Sequence, residues 1–537
     1  MIETTTMTSN NTNRSEESEA HPAERELLSE KDFEEALRYE KGKGVEKYMK
    51  KAFEWFLKSA ENGNAKAMNR VGCCFSNGEG VKQDMTKAFE WWLRSAENGN
   101  TNGMNNVGWC HCVGQGVEKD LTKAFEWWLK SAENGDTNGM KKVWLCYDGG
   151  EGVTQDLTKA FEWCLKSAEN GNTDAMFNVG WRYSKGRGVA QDKAKAFEWY
   201  LKAAENGNAR AMFNAGFCYE NGDGVMKDLN KAFEWYLKAA NNGVSAAMLS
   251  VGLCYDKGWG VVQSKTKAFE WFLKSAENGD ANAMNCVGIC YFHGNGVTQD
   301  KAKAFEWWLK GAENGDRYAM YTIGKCYFDG TCVQRDLTKG LEWVLKSAEN
   351  GFSDAMSFVG LCYSKGEGVT KDMTKGFEWY LKSAENGNAE AMFFVGLCYA
   401  NGDGVTQNFT EAFEWWQKSA ENGHSVGMQN VGWCYENGQG VTQNNAKAFE
   451  WYLKAAEKGN TEAMFDVGFC YENGQGVAKD MTKAFEWYLK AAENGHVKAM
   501  NTVGCCFCRG NGVSKDLKTA REWFSKAANN EAQSQKK

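Results

Sequence analysis

A tryptophan returns every 36 residues along this chain, fourteen times, with no insertion or deletion between copies. The series runs Trp55, Trp91, Trp127, Trp163, Trp199, Trp235, Trp271, Trp307, Trp343, Trp379, Trp415, Trp451, Trp487 and Trp523. Each copy sits in Lys-Ala-Phe-Glu-Trp or a close variant of it. A fixed period of this size marks a stacked array, in which no single unit can bury its own apolar face. The 537 residues would otherwise be shared among several globular domains. They are expected instead to form one all-α, right-handed solenoid superhelix of helix-turn-helix repeats. The only proline, Pro22, precedes the array, as it must if helix interiors are to stay free of proline.

One repeat, residues 64–99, shows how the unit is built. Met68, Val71, Gly72 and Phe75 fall at i, i+3, i+4 and i+7, one stripe of an amphipathic helix. Asn64 is placed to cap its start, and Gly78 and Gly80 supply the positive φ of its end and the following turn. Asp84 then caps a second helix. Its residues Met85, Ala88, Phe89, Trp91, Trp92, Leu93 and Ala96 cover most of the circumference. Lys87, Glu90, Arg94 and Glu97 are left as a narrow polar stripe, so this helix should lie between neighbours. Glu–Lys pairs one turn apart, such as Glu54–Lys58 and Glu126–Lys130, are worth a few tenths of a kcal/mol each. Gly72 and its equivalents stand mid-helix at a cost of up to about 1 kcal/mol. A recurring cost implies a side chain packed on bare backbone, and the repeated tryptophans are taken as those structural residues.

The string Ala-Met-x-x-Val-Gly-x-Cys-Tyr-x-x-Gly-x-Gly-Val-x-x-Asp-x-x-Lys-Ala-Phe-Glu-Trp-x-x-Lys-x-Ala-x-x-Gly resembles the Sel-1-like repeat family, α-solenoids related to the tetratricopeptide repeats. Thirteen full units cover residues 64–531. Residues 28–63 keep the phase through Gly42, Gly44, Val45 and Trp55 and are expected to form a degenerate leading repeat. Residues 1–27 and 532–537 carry no period and are expected to be disordered tails. Departures from the pattern are Trp144 for Gly, Cys332 for the second turn Gly, Arg182 for the repeated Cys, and Ser264, Asn408 and Asn444 for Asp. The resemblance implies scaffold or adaptor work in protein assembly, signalling or quality control.

Composition narrows the function. The net charge is −7, from 63 basic and 70 acidic residues with interleaved signs, and no clustered basic footprint for nucleic acid is seen. No apolar run nears the roughly 18 residues of a membrane span, so membrane insertion is not expected. The polar N-terminal stretch lacks the apolar core of a signal peptide, so a cytoplasmic location is expected. Twelve of 19 cysteines share one repeat position, Cys74 to Cys506, and read as small, reduced core residues. The five histidines (His21, His111, His293, His424 and His496) form no zinc motif. The Gly-x-Gly-Val turns follow no strand and precede no Gly-Lys-Ser/Thr. No metal, no cofactor and no catalytic residue is expected, and the chain reads as a non-enzyme.

Positions that vary between copies mark where a partner could bind. On the first helix, the residues one and five places after each repeated Met include Trp109, Phe177, Trp181, Phe213, Phe217, Leu249, Leu253, Tyr321, Phe393, Leu397, Trp433, Phe465 and Phe469. By analogy with related solenoids this helix lines the concave side. Two readings stay open: these side chains fill space between successive first helices, or they line an aromatic groove for a protein or peptide, since aromatic residues are favoured anchors. Function divides likewise. The leading expectation is a non-catalytic protein-interaction scaffold. The alternatives are a structural spacer or oligomerising array, and an effector or surface-type repeat protein engaging host proteins. Partner identity and oligomeric state are not encoded in the pattern.

Overall fold

The structure, a computed structural model, describes residues 22–534. Among the described residues there are 28 helices, α1 (Pro22–Lys41) to α28 (Leu517–Ser534), and no strand. The described residues divide into two compact units, the first ending at Gln263 and the second beginning at Ser264. In the first, helices pair in sequence order from α1 with α2 (Met49–Glu61) onward, and α13 (Ser245–Lys257) follows the sixth pair. The second opens on α14 (Lys265–Glu277) and continues through seven pairs. Within each unit every second helix also packs on the first helix of the next repeat. This is an α-solenoid built of antiparallel helix pairs.

The punctuation follows from the caps. Asn64 accepts a hydrogen bond from the Ala67 N–H at 3.0 Å, opening α3 (Ala65–Asn77), and Asp84 accepts one from Lys87 at 3.0 Å, opening α4 (Met85–Glu97). Each such cap is worth about 1 kcal/mol. Gly78 ends α3 at φ 74° and donates to the Cys74 carbonyl. The second turn glycine does something different. A Cβ on Gly80 would collide with the Met49 carbonyl of the preceding repeat, and Gly116 and Gly296 meet Met85 and Lys265 in the same way. The turn therefore rests directly on neighbouring backbone, which only glycine permits.

Packing inside a pair corrects one expectation. The side chain seated on the bare backbone of Gly72 is Trp92, not Trp91: a Cβ at Gly72 would lie 2.5 Å from the Trp92 Cδ1. Trp92, Trp128 and Trp308 are buried. The invariant column from Trp55 to Trp523 is half-buried throughout. Its rings lie at the edge of the pair under a cation from the next turn, Lys130 4.2 Å above Trp127 and Lys310 4.4 Å above Trp307. That cation–π contact takes the lysine that the sequence assigned to the glutamate one turn back. The two neighbouring positions are about 100° apart on the helix, and the wide apolar face includes both. Only the second points at the facing helix.

Between repeats, phenylalanines of second helices meet rings of the following first helix edge-on. Phe53 lies 5.4 Å from Phe75, Phe125 5.2 Å from Tyr147, and Phe485 5.3 Å from Phe507. On α28 the equivalent residue is Arg521, and the leucine of the next turn is replaced by Ser525; both are exposed. A polar outer face of this kind suits a terminal repeat. The ends differ from the sequence expectation. Residues 22–27, assigned to a disordered tail, belong to α1, and 532–534, assigned to the other tail, belong to α28. The rest of both assigned tails, 1–21 and 535–537, lies outside the described residues. The degenerate leading repeat, 28–63, takes in most of α1 and all of α2.

Candidate protein-binding face

The first helix of each pair carries two columns of variable residues, one and five places after the repeated Met. The column one place after the repeated Met is largely packed. Phe177 stands 5.8 Å from Tyr200, Phe213 5.5 Å from Tyr236 and Phe465 5.2 Å from Tyr488, each ring leaning on the buried residue of the second helix. Tyr321 meets Phe352 at 5.3 Å and Phe358 at 6.0 Å, and Phe393 contacts Phe394 at 5.5 Å. Phe177, Phe213, Leu249, Tyr321, Phe393 and Phe465 are all half-buried.

The column five places after the Met is more open. Trp109, Phe217, Trp433 and Phe469 are 38%, 48%, 41% and 41% exposed, while Trp181, Leu253 and Leu397 are half-buried. Leu145 and Ile289 share this column and are 50% and 40% exposed. Their spacing from Met140 and Met284 marks them in the sequence, and they extend the column beyond the residues named from it.

In the first unit, Trp181 and Phe217 come together over a cleft of about 250 Å³ floored by Tyr200 and Cys218, with Lys193 and Asp223 at its rim. Lys193 and Asp223 form an ion pair of 2.7 Å; its exposed lysine makes it a weak clamp. In the second unit the open column is flanked by carboxylates. Glu436 accepts the Tyr452 hydroxyl at 2.7 Å and Glu472 accepts that of Tyr488 at 2.6 Å. Asp466 accepts from the Gln429 amide at 3.1 Å. Burial pushes the Asp466 carboxyl up to about 7; Gln429 opposes this and the charges of Glu462 and Glu436 reinforce it.

The arrangement offers apolar anchors with polar neighbours and no converging reactive groups. The repeated cysteines are buried, and burial raises their thiols, Cys74 to about 11 and Cys110 to about 12, which makes them poor nucleophiles. Among the described residues no three His, Cys, Asp or Glu side chains gather as metal ligands, and no helix is long and apolar enough to cross a membrane.

A stack of paired helices with a cap, a double-glycine turn and a second cap in most periods defines a solenoid of one repeat type. The sequence model of the Sel1 repeat matches fourteen segments, from 31–64 and 65–100 to 461–496 and 497–531, one of them shortened to 144–172. The chain belongs to the Sel1 repeat family. Such arrays serve in general as protein-interaction scaffolds. A solved structure of c5321, a protective antigen present in uropathogenic Escherichia coli strains and displaying an SLR fold, is 32% identical. The match covers 83% of this chain and 97% of that one, with a TM-score of 0.55. A Sel1 repeat protein from Oxalobacter formigenes is 29% identical over 57% of this chain and 89% of that chain, with a TM-score of 0.48. No curated protein sequence matches the chain significantly.

Proposed function

We propose that this chain is a non-catalytic scaffold that holds a protein segment against its first-helix face. One observation carries the reading: large apolar side chains recur, exposed, in the column five places after the Met. Trp109, Phe217, Trp433 and Phe469 each leave more than a third of their surface to solvent. Aromatic anchors of this kind carry a disproportionate share of binding energy, about 2 kcal/mol or more when central. The residues one place after the Met support the face from below rather than forming it.

The test replaces Trp181, Phe217, Trp433 and Phe469 together by Ser. Cross-linked partners of the wild-type chain should be lost, with affinity falling at least about a hundredfold, while helix content by circular dichroism stays within error. Retention of every partner by a folded variant would overturn the assignment. A wild-type chain that captures nothing would favour the spacer reading.

A second reading, a surface-type repeat protein that engages host proteins, has one observation in its favour: the likeness to a protein described as a protective antigen. Protease added to intact cells that express the chain should then cleave it. Full protection on intact cells, with cleavage after lysis, would remove this reading.

A further inference from the structure

Gly occupies the second turn position in every repeat but one, where Cys332 stands. Six residues earlier is Cys326, the repeated core cysteine at the end of α17 (Arg317–Asp329). Cys326 is 4% exposed and packed with Ala304, Trp308 and Ile323, whereas Cys332 is half-buried at the surface turn. The Cys326 thiol donates to the Cys332 sulfur at 3.2 Å, and the Thr331 hydroxyl lies 3.9 Å from the same sulfur. A disulfide needs about 2.05 Å between sulfurs. An approach of about 1 Å, within the reach of a turn residue, would close this pair. The twelvefold cysteine column therefore acquires, in this one repeat, a second sulfur in contact with the first and open to solvent.

We propose that Cys326 and Cys332 form a paired dithiol that reacts with a low-molecular-weight disulfide of the glutathione class and closes to an intramolecular disulfide. The Cys332 thiolate attacks one sulfur of the small disulfide. A mixed disulfide forms on Cys332, the reagent's own S–S bond breaks, and the first small thiolate leaves. Cys326 then attacks the Cys332 sulfur, the protein disulfide forms, and the second small thiolate departs with the Cys326 proton. The protein loses two electrons and two protons, and the reagent becomes two small thiols. Exposure sets this order, since only Cys332 can meet the reagent. Burial, and then the bond to Cys332, push the Cys326 thiol up to about 12, which suits it to the second, intramolecular step, where proximity replaces reactivity. The bond would tie the end of α17 to the turn that leads into α18 (Leu337–Glu349).

The sequence supplies a clean assay. Lys325 and Arg335 bracket a tryptic peptide that contains Cys326, Cys332 and no other cysteine. The full chain is incubated with oxidised glutathione, alkylated under denaturing conditions and digested without reduction. The 326–335 peptide should appear unalkylated and lighter by two hydrogens, forming at least about tenfold faster than a glutathione adduct at exposed Cys505. In Cys326→Ser the adduct on Cys332 should persist, because nothing resolves it. In Cys332→Gly, which restores the residue common to the column, the peptide should be alkylated at Cys326 and carry no glutathione. A wild-type peptide that is fully alkylated, or that holds glutathione as stably as Cys326→Ser, would overturn the proposal. Glutathione found on Cys326 in Cys332→Gly would overturn it too.

Discussion

Helix pairs α5·α6 (Thr101–Val113, Leu121–Glu133) and α7·α8 (Thr137–Gly149, Leu157–Glu169) are consecutive repeats of one unit that fill the same space from opposite sides. In α5·α6 the first helix presents bare Gly108 and the second presents buried Trp128. In α7·α8 the first helix carries buried Trp144 and the second carries Cys164. The bulk has moved across the interface, and one large and one small residue still face each other. What the repeat maintains is a shared volume, divided in either direction. The exchange is not neutral in detail. Trp128 donates its indole N–H to the Asn105 carbonyl at 3.3 Å, whereas the buried Trp144 N–H has no partner among the described residues. The next repeat adjusts as well. Arg182 replaces the column cysteine, lies 5.8 Å from the centre of the Trp144 ring and bonds Asp148 at 2.8 Å.

The shared-volume account breaks most directly by giving one pair two large residues. Gly108→Trp alone should destabilise the repeats around it by about 3 kcal/mol or more, the upper range for overpacking. Adding Trp128→Cys should restore over half of that loss, a coupling readable by denaturant titration of the two single variants and the double. A double variant no better than Gly108→Trp would show that identity, not volume, matters at these positions.

Truncation sharpens the same contrast. Trp128→Ala should cost about 3–5 kcal/mol, while Cys164→Ala, in the same column of the exchanged pair, should cost less than about 1 kcal/mol. Trp127→Ala should fall between them, at about 1–2 kcal/mol, because that ring is half-buried and loses mainly its edge contacts and the cation of Lys130. Thermal unfolding in which Trp127→Ala costs as much as Trp128→Ala would reverse the assignment of the buried ring.

The smallest effect concerns acid. Burial acts against the Asp148 carboxylate, but bonds from Arg182 and Arg187 outweigh it and hold the carboxyl below its ordinary value of 3.8. A depressed carboxyl stabilises the fold above its unfolded value and loses that contribution as pH falls through the folded one. Arg182→Cys should therefore reduce the loss of stability of the exchanged pair between about pH 5 and about pH 3, by under about 1 kcal/mol for this partly exposed cluster. Hydrogen exchange across 137–185 at the two pH values would show it. An unchanged acid slope would mean that the cluster contributes nothing net.

Much of this architecture is legible in the chain because its punctuation is chemical. Asn64, Gly78 and Asp84 announce helix ends that the structure places within a residue of the pattern. The facing of Gly72 by a large side chain is legible too, since a mid-helix glycine needs a reason. The partner was misread between adjacent tryptophans because invariance was taken for burial. The buried position varies among Trp, Tyr, Phe, Cys and Val, and its exchange for Cys164 coincides with Trp144 on the helix opposite. The exposed-edge tryptophan faces no such partner. For the binding face, period alone could not separate the column that leans on Tyr200 or Tyr236 from the column that meets solvent. Both lie on one side of the helix, and only the packed geometry tells them apart. Residues 22–27 carry no repeat signal, so nothing in the pattern announced their helix.

The second turn glycine has a consequence for how such a chain can change its length. Because Gly116 rests on the Met85 carbonyl and Gly296 on that of Lys265, each double-glycine turn reads the register of the repeat before it through backbone alone. An added or missing residue within a unit would lift that contact and rotate every later helix of the unit off its neighbour. Gain or loss of one whole period leaves each contact with an equivalent mate. Genetic duplication and deletion can therefore act on this protein as on a ruler with one kind of mark, lengthening or shortening its face in whole steps while every intermediate is rejected.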